Sequence, residues 1–194
     1  MAQIKLNATY GMTGTLPAVS GANLTTLNAT NISSGTLNAA RYVGGKVLQT
    51  VASQLNDSGY TTVSTSWLAI DDMSVAITPS ATSSKILVIV AGSTYIQGTN
   101  YNVYGQIRLL RGSTEIARQE AMYDSENSTF AARLGQSFSI VKRDSPATTS
   151  ATTYKIQIRV AYTSYSASIR LPSVQNGESE MYGGERIQLL EIGA

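Results

Sequence analysis

The stretch YKIQIRV (Tyr154–Val160) alternates between polar and apolar side chains along its length. A period of two is typical of a β-strand that has one face on a hydrophobic core and the other in solvent. A second stretch, KILVIV (Lys85–Val90), is apolar on both faces, which indicates a central strand. Together these two stretches predict a domain built from sheets.

Further alternating or β-branched runs follow from Lys46 onward, separated by turn-forming residues such as NDSG (Asn56–Gly59) and RGST (Arg111–Thr114). The predicted strands are Lys46–Leu55, Tyr60–Ser64, Trp67–Ile70, Met73–Thr78, Lys85–Tyr95, Tyr104–Arg111, Thr114–Gln119, Phe130–Lys142, Tyr154–Thr163, Ser168–Leu171 and Glu185–Ile192. For the predicted strand Thr114–Gln119, a helix over Thr114–Tyr123 is the alternative. Many short strands with regular turns predict an all-β fold, an antiparallel, jelly-roll-like β-sandwich over residues 46–194.

The composition excludes several kinds of chemistry. The 194 residues include no cysteine and no histidine, so disulfides, thiolate nucleophiles, cysteine-ligated zinc and histidine-based catalysis are excluded. A formal net charge of +2 gives no electrostatic reason to expect nucleic-acid binding. No phosphate-binding or dinucleotide motif is present. We therefore expect no cofactor, no metal and no nucleic-acid partner.

The chain carries no obvious membrane signal. Its longest aliphatic run, Ile86–Ala91, is too short for a membrane-spanning helix, and the start MAQIKLNATYGMTG lacks the apolar core of a signal peptide. We expect a soluble protein that is made in a cytoplasm and does not insert into a membrane.

An internal repeat marks residues 1–45. LNAT occurs at Leu6–Thr9 and Leu27–Thr30, and GTL at Gly14–Leu16 and Gly35–Leu37, at one common offset. The apolar ladder of this N-terminal arm consists of Leu6, Leu16, Leu24, Leu27, Ile32 and Leu37. So few apolar side chains cannot enclose a core, because ordering each residue costs about 1–2 kcal/mol. We expect the extended arm to pack against copies of itself or another protein; a flexible linker is the alternative.

Carboxylate pairs are the remaining candidates for catalysis, because two carboxylates can cleave a glycosidic bond. The pairs and clusters are Asp71 with Asp72, Glu120 with Asp124 and Glu126, and Glu178 with Glu180. We interpret Asp71 and Asp72 as a turn between two strands, and Glu120–Glu126 as a solvated loop. The sequence thus predicts no catalytic residue, with a carbohydrate-active enzyme as the alternative.

Tyrosine dominates the aromatic residues, with 11 tyrosines against a single tryptophan. Its flat ring and hydroxyl suit stacking on sugars and contacts at interfaces. The candidate receptor or interface contacts are Tyr95, Tyr101, Tyr104, Tyr123, Tyr162 and Tyr165. Packing of these rings at the ends of the sandwich or between subunits is the alternative.

Several patches resemble a known class of proteins. The arm segments Gly14–Leu24 and Asn31–Arg41 resemble the repeats of bacteriophage tail-fibre and related virion surface proteins. Gly45–Val51, Ile77–Val88 and Leu109–Ile116 resemble the distal β domains of those proteins. The resemblance implies a homotrimeric, all-β structural protein of the virion without enzymatic activity, assembled in the host cytoplasm.

Two forms of such a protein are open. A short fibre or spike attaches the particle to a glycan on the host surface. A capsid decoration (cement) protein instead stabilises the phage head through its trimeric sandwiches and its arm. The expected partners are further copies of the chain and a tail, baseplate or major capsid protein, together with a host glycan for the fibre.

Overall fold

The computed structural model describes residues 45–55, 59–99, 103–123, 132–172 and 184–193. Apart from Gly45, the predicted arm over residues 1–45 lies outside this part of the chain, and so do all of its ladder residues. The role of the arm and the boundary at residue 45 remain predictions.

The described ranges contain ten β-strands and one short 3-10 turn, Ser164–Ser166. The strands are β1 (Val47–Gln54), β2 (Tyr60–Thr62), β3 (Leu68–Ile77), β4 (Lys85–Gly98), β5 (Val103–Arg111), β6 (Thr114–Tyr123), β7 (Ala132–Asp144), β8 (Thr152–Val160), β9 (Ser168–Leu171) and β10 (Arg186–Ile192). Most of the predicted strands recur with ends that differ by a few residues. The all-β prediction is confirmed.

The strands form a six-stranded and a four-stranded sheet, and neighbouring strands in both are antiparallel. In the six-stranded sheet, β7 pairs along one edge of the long strand β4. The other edge of β4 is shared, because β10 pairs with Lys85–Ala91 and β9 pairs with Tyr95–Gln97. β1 and β2 extend the sheet beyond β10 and β9. The order of the four-stranded sheet is β3-β8-β5-β6.

The core lies between the two sheets. It consists of the side chains that point inward, which are mostly every second residue along each strand. In β8 the residues at positions 154, 156, 158 and 160 are buried, as the alternation of YKIQIRV predicts. The largest fully buried aliphatic side chains are Ile70, Ile77, Ile86, Ile96, Ile107, Leu109, Ile156, Ile158, Ile169 and Leu171. Each such side chain stabilises the fold by about 1.5–3 kcal/mol through burial. The predicted antiparallel sandwich is confirmed.

The prediction of a turn at Asp71 and Asp72 is wrong, because both residues lie inside the single strand β3. The register of β3 against β8 shifts between Ala69 and Ser74, which marks a β-bulge or irregularity. The shift lets Ile70 and Met73 both face the core, although strict alternation places residues three apart on opposite faces. Carboxylates at an irregular edge strand imitate a turn in the sequence.

The helical alternative for Thr114–Tyr123 is also wrong, since these residues form β6 and pair with β5. A strand forms here because a two-residue hairpin turn connects Arg111 to Thr114. Gly112 adopts a φ of 57°, which glycine tolerates and which suits the first central position of a tight hairpin turn. This turn directs the chain straight back along β5.

Candidate interaction surface

The outer face of the four-stranded sheet is polar and carries most of the chain's described ion pairs. Cross-strand pairing places Arg108 beside Arg118 on one side and Gln157 on the other. In the next row, Gln106 lies between Glu120 and Arg159. Local alternation directs these side chains outward, because their neighbours Ile107, Leu109 and Ile158 face the core.

Trp67 covers this face. It comes directly before β3, and the guanidinium carbons of Arg108, Arg159 and Arg118 lie 4.2, 4.5 and 5.4 Å from its ring centroid. Such distances are typical of cation–π contacts, in which the negative face of the ring attracts the cation. Arg159 Nη1 also donates to the carbonyl oxygen of Thr65 at 3.3 Å, which ties the segment before β3 to the sheet.

Hydrogen bonds hold each of these guanidinium groups in place. Arg108 Nε donates to Gln157 Oε1 at 2.8 Å, and Arg159 Nε donates to Gln106 Oε1 at 2.8 Å. Gln106 Nε2 in turn donates to Glu120 Oε1 at 2.8 Å. We call Trp67, Arg108, Arg118, Arg159, Glu115 and Glu120 the Trp67 cluster.

Glu115 is the main counterion within the cluster. Its carboxylate accepts from Arg118 Nε at 2.9 Å and Nη2 at 2.8 Å, and from Arg108 Nη1 at 3.3 Å. The hydrogen bond from Arg118 lowers the pKa of Glu115 below its usual value, with Arg108 adding to the effect. The three arginines outnumber the two glutamates, so the cluster keeps one net positive charge at neutral pH.

The outer face of the six-stranded sheet has a different character. Its middle is apolar, because Leu87 pairs with Leu190 and Ile89 pairs with Val141. Val141 is 64% exposed. We call these four residues the apolar sheet face. Lys85, Arg143 and Arg186 surround it, and none of the described residues that point outward from this sheet is acidic.

The structure brings only some of the candidate tyrosines together. Tyr104 and Tyr162 meet edge to face with ring centroids 5.3 Å apart, and Tyr162 is 53% exposed. Tyr95 lies on the six-stranded sheet, in the other layer of the sandwich from Tyr104, and its hydroxyl is buried. Tyr101 lies outside the described residues, and only the backbone of Tyr123 and Tyr165 is described. Their role as receptor contacts stays a prediction.

Glu191 is a buried carboxylate with a full set of partners. Its oxygens accept from the Ser80 hydroxyl and N–H at 2.6 and 2.7 Å, the Ser84 hydroxyl at 2.7 Å and Gln49 Nε2 at 2.6 Å. Burial by itself raises the pKa of Glu191, but these hydrogen bonds outweigh it and lower the pKa to about 2. Glu191 thus joins β1 and β10 to the loop after β3.

Two further buried carboxylates also bind their own chain. Asp144 accepts from Arg111 Nη1 at 2.9 Å and from the Tyr154 hydroxyl at 2.7 Å. Burial, and then this hydrogen bond, raises the pKa of Tyr154. Glu185 accepts from the N–H and hydroxyl of Ser93 at 3.2 and 2.7 Å, beside a cleft of about 490 Å³.

The carboxylates that the sequence singles out for catalysis are dispersed. Glu120 lies in β6 and belongs to the Trp67 cluster, so the prediction that the loop begins at Glu120 is wrong. Asp71 and Asp72 lie in β3. Asp124, Glu126, Glu178 and Glu180 lie outside the described residues. Within the described ranges, no group of three or more histidine, cysteine, aspartate or glutamate residues could hold a metal ion. No helix among the same residues is long and apolar enough to cross a membrane.

Sequence reasoning missed the Trp67 cluster. The alternating glutamines and arginines at positions 106, 108, 157 and 159 are visible as the polar faces of two predicted strands. Their meeting depends on the strand order β3-β8-β5-β6, which no local pattern reveals. The only further signal in the sequence is the single tryptophan, Trp67, at the start of a predicted strand.

Comparisons with known proteins do not assign this chain to a family. No protein-family model matches the chain, and no curated protein does. Among solved structures, infectious bursal disease virus strains Gt and Gx match with TM-scores of 0.31 and 0.30 at 13% and 12% identity. T=1 particles derived from that virus match with a TM-score of 0.32 at 10% identity.

The aligned regions cover 74% of this chain in all three matches. They cover 37%, 36% and 35% of the matched chains, so the chain spans about a third of their length. TM-scores near 0.3 are too low to show a shared fold, and these matches carry no weight for the function.

Proposed function

We propose that this chain is a non-enzymatic structural protein of a bacteriophage virion, a homotrimeric fibre or spike that attaches the particle to a glycan on the host surface. The observation that carries the proposal is the apolar sheet face, in which Val141 is 64% exposed and Leu87, Ile89 and Leu190 are half-buried. The resemblance of the arm and β-domain patches to tail-fibre proteins supports the same role.

The apolar sheet face favours assembly because apolar side chains that stay partly open to solvent and cluster on one sheet mark an interaction site. Strand β7 adds to this argument, since it pairs only with β4 among the described strands and leaves its other edge unpaired. Lys142 and Arg143 on β7 are charged residues of the kind that guard edges against uncontrolled pairing. A closed ring of three copies buries such a face without continuing into a filament.

The opposite side of the sandwich favours attachment over head stabilisation. If the apolar sheet face is buried between copies, the Trp67 cluster on the other sheet stays accessible to solvent. A polar surface with aromatic and guanidinium groups suits binding of a host glycan. We therefore place the fibre ahead of the decoration protein.

Counting the copies per particle distinguishes the two forms. Quantitative mass spectrometry of purified virions is expected to find a small number of copies, located at the tail by labelling with an antibody. Hundreds of copies spread over the head would favour the decoration protein instead. Absence of the protein from the virion would overturn the proposal altogether.

Adsorption tests the attachment role. The purified full chain is expected to bind cells of a permissive strain and to slow adsorption of the phage in proportion to its concentration. Binding to no permissive strain would contradict the fibre. Release of oligosaccharide from those cells, lost in Glu120→Gln, would show an enzyme in place of a non-enzymatic protein.

A further inference from the structure

We propose that the Trp67 cluster is the ligand site of this protein and that it binds a saccharide unit carrying a single anionic group, a carboxylate or a phosphate. This assignment rests on the proposed attachment function for its biological role. Its chemistry is argued from the cluster alone.

Arg159 is the best-placed cation for an anionic ligand. Arg108 and Arg118 share Glu115, whereas Arg159 donates to the neutral oxygens of Gln106 and Thr65. Among the described residues, no carboxylate lies within ion-pair distance of Arg159. Its charge is therefore not offset by a carboxylate. Since Nε already donates to Gln106, Nη2 and the second N–H of Nη1 are the donors that can bind a carboxylate or phosphate through two parallel hydrogen bonds.

Trp67 supplies the apolar part of the site. Its ring is half-buried, so part of its surface remains open to solvent beside the guanidinium groups. A sugar ring packs its C–H groups on such a surface while its hydroxyls stay hydrated. The hydrogen bonds that fix Arg108 and Arg159 reduce the entropy lost when a ligand binds.

The balance of charge in the cluster selects against a polyanion. Glu115 and Glu120 lie among the arginines and leave one net positive charge, which matches one anionic group. A nucleic-acid strand carries a phosphate at every nucleotide, so its successive phosphates would lie close to the carboxylates of Glu115 and Glu120 and be repelled by them. Stacking of bases on Trp67 is thus opposed by repulsion, and a singly charged saccharide is favoured.

The single tryptophan makes the site directly measurable. Trp67 is the only tryptophan of the chain, so its emission reports on this cluster and nothing else. The full chain is titrated to millimolar concentrations with galacturonate, N-acetylneuraminate and glucose 1-phosphate, each against its neutral parent or methyl ester. At least one acidic sugar is expected to shift the emission saturably, with its neutral counterpart about tenfold weaker or more, a difference of about 1.4 kcal/mol.

Matched variants separate the site from the general basic charge of the protein. Arg159→Gln is expected to weaken binding about tenfold, or by about 1.4 kcal/mol. Arg143→Gln removes the same charge from the other face and is expected to leave binding unchanged. Arg159→Lys retains the charge without the planar donors, so its affinity for the acidic sugar is expected to lie between those of the two glutamine variants. The thermal midpoint of each variant shows whether it folds.

Four results would overturn the assignment. The first is that no acidic sugar changes the Trp67 emission, and the second is that the neutral counterparts bind equally well. The third is that Arg159→Gln and Arg143→Gln lose the same amount of binding affinity. The fourth is that single-stranded DNA binds more tightly than the sugars. Failure here with the protein still found on the virion removes only this site. Saturable binding by a protein absent from the virion keeps the site and removes the proposed function.

Discussion

Glu191 has no exposure to solvent, yet it remains charged because four hydrogen bonds from Gln49, Ser80 and Ser84 replace the water it lost. Its folded-state pKa of about 2 lies below the reference value of 4.5. A depressed pKa means that the carboxylate stabilises the fold at pH values above the unfolded-state pKa. That stability is lost as the pH falls from about 5 towards 2.

The variant Glu191→Gln is expected to lower the free energy of unfolding at pH 7 by about 2–3 kcal/mol, because an amide nitrogen then faces donors that it cannot satisfy. The difference between variant and wild type should shrink as the pH falls from 5 towards 2. Urea unfolding at a series of pH values measures both effects. A constant difference across this range would show that Glu191 is not charged in the folded protein.

Gly92 occupies the place where β4 passes from one partner strand to the next. A Cβ atom there would lie 2.9 Å from Glu185 Cγ and 2.9 Å from Phe138 Cε1, closer than packed atoms tolerate. Gly92→Ala is therefore expected to destabilise the protein by about 1–3 kcal/mol through overpacking. Gly184→Ala, which meets no atom within 4 Å, is the control and should change the thermal midpoint little.

At the scale of strands, local alternation was enough to locate most of the sheet. Tyr154–Val160 reveals its faces because its polar and apolar side chains alternate as burial does. Lys85–Val90 reveals only that it is a central strand, because it is apolar on both faces and its alternating burial is visible only in the structure. The β3 bulge could not be foreseen, since it depends on pairing with β8 and on the shared need of Ile70 and Met73 for the core. Which strands pair with each other depends on residues far apart in the sequence, so the sequence alone does not predict the Trp67 cluster either.

The N-terminal arm is the element whose role the sequence alone predicts. Leu27→Asp together with Leu37→Asp is expected to weaken assembly or incorporation into virions, because the charges replace apolar side chains that need shelter from neighbouring copies. The β domain should keep its cooperative thermal transition, measured by circular dichroism. Normal assembly of this double variant would show that the ladder has no part in it.

For the whole molecule, the contrast between its two outer faces suggests how copies associate. Val141→Asp places a charge in the apolar sheet face and is expected to shift the protein towards monomers without unfolding it, because Val141 is 64% exposed in one copy. Val63→Asp introduces the same charge at a position 62% exposed elsewhere and serves as control. Sedimentation velocity of both variants at equal concentration measures the shift; an equal effect would assign it to charge alone.

The mass of the native full chain tests the central claim most directly. Light scattering coupled to size exclusion, at micromolar concentration, is expected to give three times the chain mass of 20.6 kDa, about 62 kDa. A single species at 20.6 kDa would contradict the account, because the apolar sheet face would then remain exposed in the working protein.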